Sequence, residues 1–149
     1  MDTELRFRRG DLFASTDDAM AHCVSRDFAI GAGVAKGFRA KYGRVEELKA
    51  QSPKIGGMAY IDVWNKKRMG TQTIFYMVTK NKYFEKPSFR TVRLSLEATR
   101  DAMMDMGLCS LSMPMIAAGL DQLSWPLVLR EIEDVFNGTD IVITIWYLK

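Results

Sequence analysis

Two short stretches near opposite ends of the chain restrict its fold more than any other feature. Residues 19–24, Ala-Met-Ala-His-Cys-Val, form a short and largely apolar run. Residues 141–147, Ile-Val-Ile-Thr-Ile-Trp-Tyr, are continuous in β-branched and aromatic side chains. Neither alternates apolar with polar residues, as a strand with one wet face does; each reads as a strand covered on both faces, the final one at the centre of the sheet. A sheet covered on both faces needs helices on both sides.

The helices are legible too. Val34, Ala35, Phe38 and Tyr42 recur at helical spacing, Gly43 closes that helix, and residues 45–51 extend the helical region. Ser88 is placed as an N-cap, followed by Phe89, Val92, Leu96, Met103 and Met106 on one helix face, with Gly107 as the C-terminal glycine. Ser124 caps a last helix with Pro126 in its first turn. Trp125, Val128, Leu129, Ile132, Val135 and Phe136 line one side of it, and Asn137-Gly138 ends it. Residues 5–8 alternate as a half-exposed strand. Residues 58–64 and 73–79, joined by the basic turn 65–70, read as an antiparallel hairpin, and 110–113 as a short strand. Strands interspersed with about three helices give an α/β chain, a three-layer α/β/α sandwich around a mixed central sheet. There is no internal repeat, low-complexity tract or linker, so one domain fills 1–149. A chain of this length buries about two-thirds of its unfolded surface and needs no disulfide or metal staple.

Several function classes drop out. Two cysteines, Cys23 and Cys109, make no disulfide framework, and Cys109 reads as a core residue. The first nine residues lack the apolar segment of a signal peptide, and no apolar run approaches the ~18 residues of a membrane span. The expectation is a soluble intracellular protein, cytoplasmic or nuclear, with reduced thiols and no membrane partner. One histidine and no Cys/His zinc spacing leave no metal site. Gly31, Gly33 and Gly37 give GxGxxxG rather than a dinucleotide fingerprint, and no Walker loop is present. The net charge of +3 is too small to establish a nucleic-acid partner, and it suits an anionic ligand. The turn residues Lys66, Lys67 and Arg68 are either solvated charges on a hairpin tip or a polyanion contact; Trp64 reads as packing.

Chemistry has few places to sit. Gly31-Ala32-Gly33 and Ala117-Ala118-Gly119-Leu120-Asp121 both connect a strand to a helix. Such loops present backbone N–H groups beside a positive helix end, and two of them could clasp a diphosphate. The same glycines also serve simply to permit tight turns. His22 and Cys23 are adjacent in a strand, face opposite ways and cannot act as a nucleophile–base pair; His22 reads as a hydrogen-bonded core residue. Lys80 at a strand end is a solvated surface residue unless burial or a neighbouring charge tunes it for catalysis. Asp121 is a helix-entry residue or a group serving the adjacent loop.

Taken together, Gly10-Asp11-Leu12-Phe13, Ala21-His22-Cys23-Val24-Ser25, Gly31-Ala32-Gly33-Val34-Ala35, Val78-Thr79-Lys80, Ser110-Leu111-Ser112-Met113-Pro114 and Gly119-Leu120-Asp121 resemble a macrodomain. More specifically, they resemble the terminal ADP-ribose protein glycohydrolase branch of small single-domain macrodomains, and six ordered blocks span nearly the whole chain. The resemblance implies a mixed sheet between helices, with ADP-ribose in a cleft at the strand ends. It implies removal of mono-ADP-ribose, and sometimes whole chains, from acidic side chains of proteins, and deacylation of O-acyl-ADP-ribose. Related macrodomains act on ADP-ribosylated nucleic acid. The implied partners are ADP-ribose and mono-ADP-ribosylated proteins, with nucleic acid not required, no cofactor, and a monomeric state.

Residue by residue, the resemblance makes Lys80 the catalytic lysine and Asp121 the catalytic acid. Asp11 faces the adenine amino group, with Leu12 beside it. Ser25 belongs to the ligand site, Gly31, Ala32, Gly33 and Val34 wrap the distal ribose and phosphates, and Met115, Ile116, Ala117, Ala118, Gly119 and Leu120 form the second phosphate loop. Leu148 lies near the nucleoside end. One departure stands out: such relatives commonly show Gly-x-Gly before the Leu-Asp pair, where this chain has Ala117-Ala118-Gly119. If Ala117 keeps a positive φ, the strain costs about 1 kcal/mol or more; otherwise the loop takes another path. A lysine nucleophile must be partly deprotonated, so Asp121 is expected to stand too far away to hold its proton. The competing readings are a non-catalytic module that reads ADP-ribose, a hydrolase for ADP-ribosylated nucleic acid, and a nucleic-acid-associated protein using the basic hairpin.

Overall fold

The computed structural model describes residues 2–29, 33–119 and 121–148. Its strands are β1 (Glu4–Arg9), β2 (Ala19–Ser25), β3 (Met58–Asn65), β4 (Gly70–Lys80), β5 (Ser110–Pro114) and β6 (Val142–Tyr147). They form one sheet in the order β1-β6-β5-β2-β4-β3, parallel throughout except for the β3–β4 hairpin. The helices are α1 (Gly33–Tyr42), α2 (Val45–Ala50), α3 (Phe89–Met106) and α4 (Trp125–Phe136).

The sheet is mixed and covered on both faces. On one side Phe38 of α1 and Leu48 of α2 pack on Met20, Ile74, Tyr76 and Val78. On the other, Val92, Leu96 and Met103 of α3 and Val128 and Ile132 of α4 pack on Ala19, Ala21, Phe75 and Met77. The period-2 alternation of β2 therefore sends His22 toward α1 and Cys23 toward the opposite core. Each long helix end has a local cause. Ser88 and Thr91 close a reciprocal capping box on α3, and Gly107 ends it at φ 72°. Ser124 stands at the N-cap of α4 without a side-chain capping bond, with Pro126 in the first turn.

Three expectations change. β6 is interior, with β1 and β5 beside it, but it stands second from an edge, and the middle of the six-stranded sheet is the β5–β2 pair. Cys109 is exposed, because it lies in the short link between the Gly107 cap and β5, before the chain enters the sheet. Trp64 is 67% exposed near the tip of a hairpin whose outer strand is a sheet edge, so it packs little.

One irregularity positions the site. β2 pairs with β5 only through Ala19–Leu111 and Met20–Ser112. Yet β5 continues along β6 to Pro114, and β2 continues along β4 to Ser25. The two strands part toward their C-terminal ends. The chain leaving β2 heads for the β4 side and the chain leaving β5 for β6, so this gap is the topological switch point where open α/β sheets bind ligands.

Candidate active site

A cleft of about 810 Å³ fills that gap. Its size suits a ligand larger than a simple nucleoside. Ser25 lies at the end of β2, Lys80 at the end of β4, and Gly33 and Val34 at the start of α1; Met115, Ile116, Ala117, Gly119 and Asp121 follow β5, and all of them line the cleft. The N-terminus of α1 thus opens onto it, with backbone N–H groups and a positive helix end available to an anion. Lys80, Lys86 and Arg39 bring positive charge to the same walls, and Asp121 is the acid on them among the described residues.

Lys80 Nζ lies 2.6 Å from Asp121 Oδ1, and the two side chains are only 15% and 13% exposed. The strand-end lysine is therefore a half-sequestered, paired group. The expected separation of the two is overturned: the loop after β5 folds back over the end of β4 and sets the carboxylate against the amine. An ammonium donating to a carboxylate has no lone pair to offer. Nucleophilic use of Lys80 therefore requires the proton to cross to Asp121 or the pair to part when a ligand enters.

A β-bulge helps to aim Lys80. Val24 pairs with Val78, but Ser25 pairs with Lys80, so Thr79 is the extra residue. Arg26 N then donates to Lys80 O at 2.8 Å, locking the strand end to the turn after β2. That turn is organised by Asp27, whose Oδ1 accepts from Ser25 Oγ at 2.5 Å and Ala29 N at 3.2 Å, and whose Oδ2 accepts from Tyr83 N at 3.3 Å. Burial pulls the Asp27 carboxyl upward, but those hydrogen bonds and the nearby Lys82 charge outweigh it and hold the carboxyl below its ordinary range.

The segment after β5 carries Ala117-Ala118-Gly119 and takes a left-handed turn without glycine. Ala117 takes φ 60° while only 7% exposed, and Gln122 takes φ 62°. Leu123 N closes the loop by donating to Ala117 O at 2.8 Å, and Gln122 N donates to Gly119 O at 3.1 Å. Ala118 adjoins the lining residues without joining them. Asp11, Leu12 and Leu148 lie beyond the cleft lining, at the C-terminal ends of β1 and β6. Asp11 caps the short turn Leu12–Ala14 by accepting from Phe13 N at 2.9 Å, Leu12 is buried, and Leu148 is exposed. Gly31, Ala32 and Leu120 lie outside the described residues.

Some lining groups escaped the sequence reading. Cys23 faces the cleft beside the pair, its thiol pushed up to about 12 by burial and by the Asp121 charge. His22 is buried without a hydrogen-bond partner for either ring nitrogen among the described residues, against the expectation of a hydrogen-bonded imidazole. Tyr83 and Phe84 stand at the mouth, and only their aromatic character after a basic strand end hinted at them. Arg68 of the basic turn is tied down by Asp18 at 2.7 Å and by Thr16 O and Thr71 O. The turn lies at the N-terminal end of β4, the opposite end of the sheet from the cleft. Among the described residues, no helix is long and apolar enough to cross a membrane, and no cluster of His, Cys, Asp or Glu is arranged to hold a metal.

Comparison with known proteins agrees with this architecture. No protein-family model matches the chain. It is 41% identical over 147 residues to the human ADP-ribose glycohydrolase OARD1, covering 98% of this chain and 93% of that protein, and the bovine protein of the same name matches equally. The macrodomain of Mycobacterium tuberculosis DarG superposes with a TM-score of 0.86 at 19% identity, over 97% of both chains. Thermosipho africanus DarTG, solved in complex with ADP-ribose, superposes at 0.84 with 16% identity, over 98% of this chain and 43% of that one. The structural likenesses carry the fold, and the full-length identity carries the kinship: the chain belongs to the macrodomain family, with the ADP-ribose glycohydrolase OARD1 proteins.

Proposed function

We propose that the chain, as a single macrodomain over 1–149, hydrolyses the bond between ADP-ribose and acidic side chains of proteins, with Lys80 and Asp121 as its catalytic pair. The observation that supports this reading is the Lys80–Asp121 contact of 2.6 Å on the wall of a cleft sized for ADP-ribose. The relatives at 41% identity are named for ADP-ribose glycohydrolase activity, and one structural neighbour is a complex with ADP-ribose.

In this reading the diphosphate lies between the α1 N-terminus and the Met115–Gly119 segment, where backbone N–H groups hold it. The distal ribose then meets Lys80. The Lys80 ammonium passes a proton to Asp121, which frees the amine to attack the anomeric carbon. A bond forms from Nζ to that carbon, and the ester oxygen leaves as the acceptor's carboxylate. Water then adds to the same carbon as the Nζ–carbon bond breaks. The nitrogen departs as the Lys80 amine and takes back the proton held on Asp121, and the Asp121 carboxylate so regenerated accepts water's proton and passes it to the departing carboxylate. The net reaction consumes one water and yields the free acid and ADP-ribose. An O-acyl-ADP-ribose whose acyl group sits on the anomeric oxygen presents the same carboxylate leaving group, so its deacylation falls within the same chemistry.

The test is release of free ADP-ribose from a protein mono-ADP-ribosylated on glutamate, with wild type beside Lys80→Ala. Release that collapses in the variant is expected. Full turnover in Lys80→Ala would remove the lysine from the mechanism. No release with ADP-ribose still bound would make the chain a reader of the modification.

A further inference from the structure

Resting on that reading, we propose that Tyr83 and Phe84 form an acceptor-side platform that holds an apolar side chain next to the modified carboxylate of the protein substrate. The order of the sheet gives the direction. Along the C-terminal strand ends come Asp11 and Leu148 after β1 and β6, then the loops after β5 and β2, then Lys80 and residues 81–86 after β4. A ligand whose nucleoside lies toward β1–β6 and whose reacting carbon lies at Lys80 sends its acceptor out over the β4 side. Tyr83 and Phe84 stand there, 62% and 70% exposed.

Two exposed aromatic side chains on a frayed loop would mean little. This loop is tied down: Tyr83 N donates to Asp27 Oδ2, Lys82 N to Glu85 Oε1 at 2.8 Å, and Glu85 N to Lys82 O at 3.0 Å. Asp27 also holds Ser25 and Ala29, so the platform is fixed to the wall that carries the reactive end of the cleft. The rings meet at 88° with centroids 5.5 Å apart. Perpendicular rings make a corner into which a leucine-sized side chain fits, whereas consecutive bases of a nucleic acid stack best on ring faces spaced along the strand. Preorganised aromatic anchors of this kind carry much of the energy at protein interfaces. Lys82, the neighbour of Tyr83 in the chain and close enough for its charge to act on Asp27, complements the negative charge of an acidic segment.

The experiment compares wild type with the double variant Tyr83→Ser, Phe84→Ser, its fold checked by circular dichroism. Substrates are a peptide mono-ADP-ribosylated on one glutamate flanked by leucines, the same peptide flanked by glycine and serine, O-acetyl-ADP-ribose, and an ADP-ribosylated oligonucleotide. Wild type is expected to favour the leucine-flanked peptide by about tenfold in kcat/KM, the scale of one well-buried apolar side chain, and the double variant to lose that preference. Absence of the preference in wild type, its survival in the variant, or a larger loss on the oligonucleotide than on the peptide would each overturn the proposal. Release from O-acetyl-ADP-ribose alone would overturn the platform and leave the hydrolase chemistry standing. No release from any substrate by wild type would overturn both.

Discussion

The imidazole of His22 lies flat on the ring of Phe38, with centroids 3.8 Å apart and planes 8° from parallel, while Tyr76 meets it edge-on at 4.6 Å. Burial pushes its pKa down from 6.5 to about 3, so the folded protein holds it neutral. The unfolded chain protonates it below about pH 6.5 and the native state does not, so stability must fall as pH falls through that range. Linkage sets the slope at about 1.4 kcal/mol per pH unit well below the unfolded pKa. This is the sole histidine, and below neutral no other side chain of ordinary pKa titrates until the carboxylates begin near pH 5. Urea unfolding between pH 5 and 7 should show stability dropping in wild type and nearly level in His22→Phe. Parallel pH profiles for the two would mean that His22 is protonated in the native state.

Asp27 works in the opposite sense from its surroundings: burial raises its carboxyl, and the bonds from Ser25, Ala29 and Tyr83 more than reverse that. A carboxyl lowered in the native state contributes stability above the unfolded value near 3.9, lost as pH falls toward the lower folded value. Asp27→Ala should therefore destabilise by about 1–3 kcal/mol at neutral pH, the usual cost of removing a shared acceptor. The gap between variant and wild type should narrow by pH 3. A constant difference in unfolding free energy across that range would show that the carboxylate charge contributes nothing.

The parts of the fold legible in the sequence are those set by local physics. The Phe89–Met106 helix carries its stripe, its Ser88 cap and its Gly107 stop within its own residues, and residues 58–64 and 73–79 announce their pairing through the turn between them. That the segment after β5 lines the cleft was also legible, through the family resemblance more than through glycine spacing, while Gly31 and Ala32 of the first loop lie outside the described residues. What stayed hidden depends on residues far apart in the chain. The Lys80–Asp121 contact spans 41 positions and exists only because the loop after β5 returns across the gap beside β2. The bulge at Thr79 leaves no signature in a run of β-branched, aromatic and other apolar residues. Cys109 lies in a link with no periodicity, so an apolar side chain there says nothing about which way it faces.

The two thiols should separate cleanly. Cys109 is exposed, while Cys23 is half-buried in the cleft wall with its thiol pushed up to about 12. Alkylation proceeds through the thiolate, so at pH 7.5 Cys23 reacts slowly. Iodoacetamide labelling read by mass spectrometry should give one fast equivalent, and Cys109→Ser should abolish it. Two fast equivalents in wild type would mean that the Cys23 side of the cleft opens readily.

Ala117 is the position where backbone strain and the cleft wall coincide. At φ 60° its Cβ crowds the following carbonyl, which costs an L-residue about 1–2 kcal/mol. Glycine removes that strain, at the expense of about 0.5–1 kcal/mol in backbone entropy and about 0.8 kcal/mol for one buried methyl. The opposing contributions nearly cancel, so Ala117→Gly should stay within about 0.5 kcal/mol of wild type. Ala21, wholly buried in the regular strand β2, has no strain to release, and Ala21→Gly should lose about 1–2 kcal/mol from the same entropy and methyl losses. Urea unfolding of the two variants side by side tests the contrast. Equal losses would mean that Ala117 leaves the left-handed region in solution, and that the loop after β5 follows a different path from the one its hydrogen bonds describe.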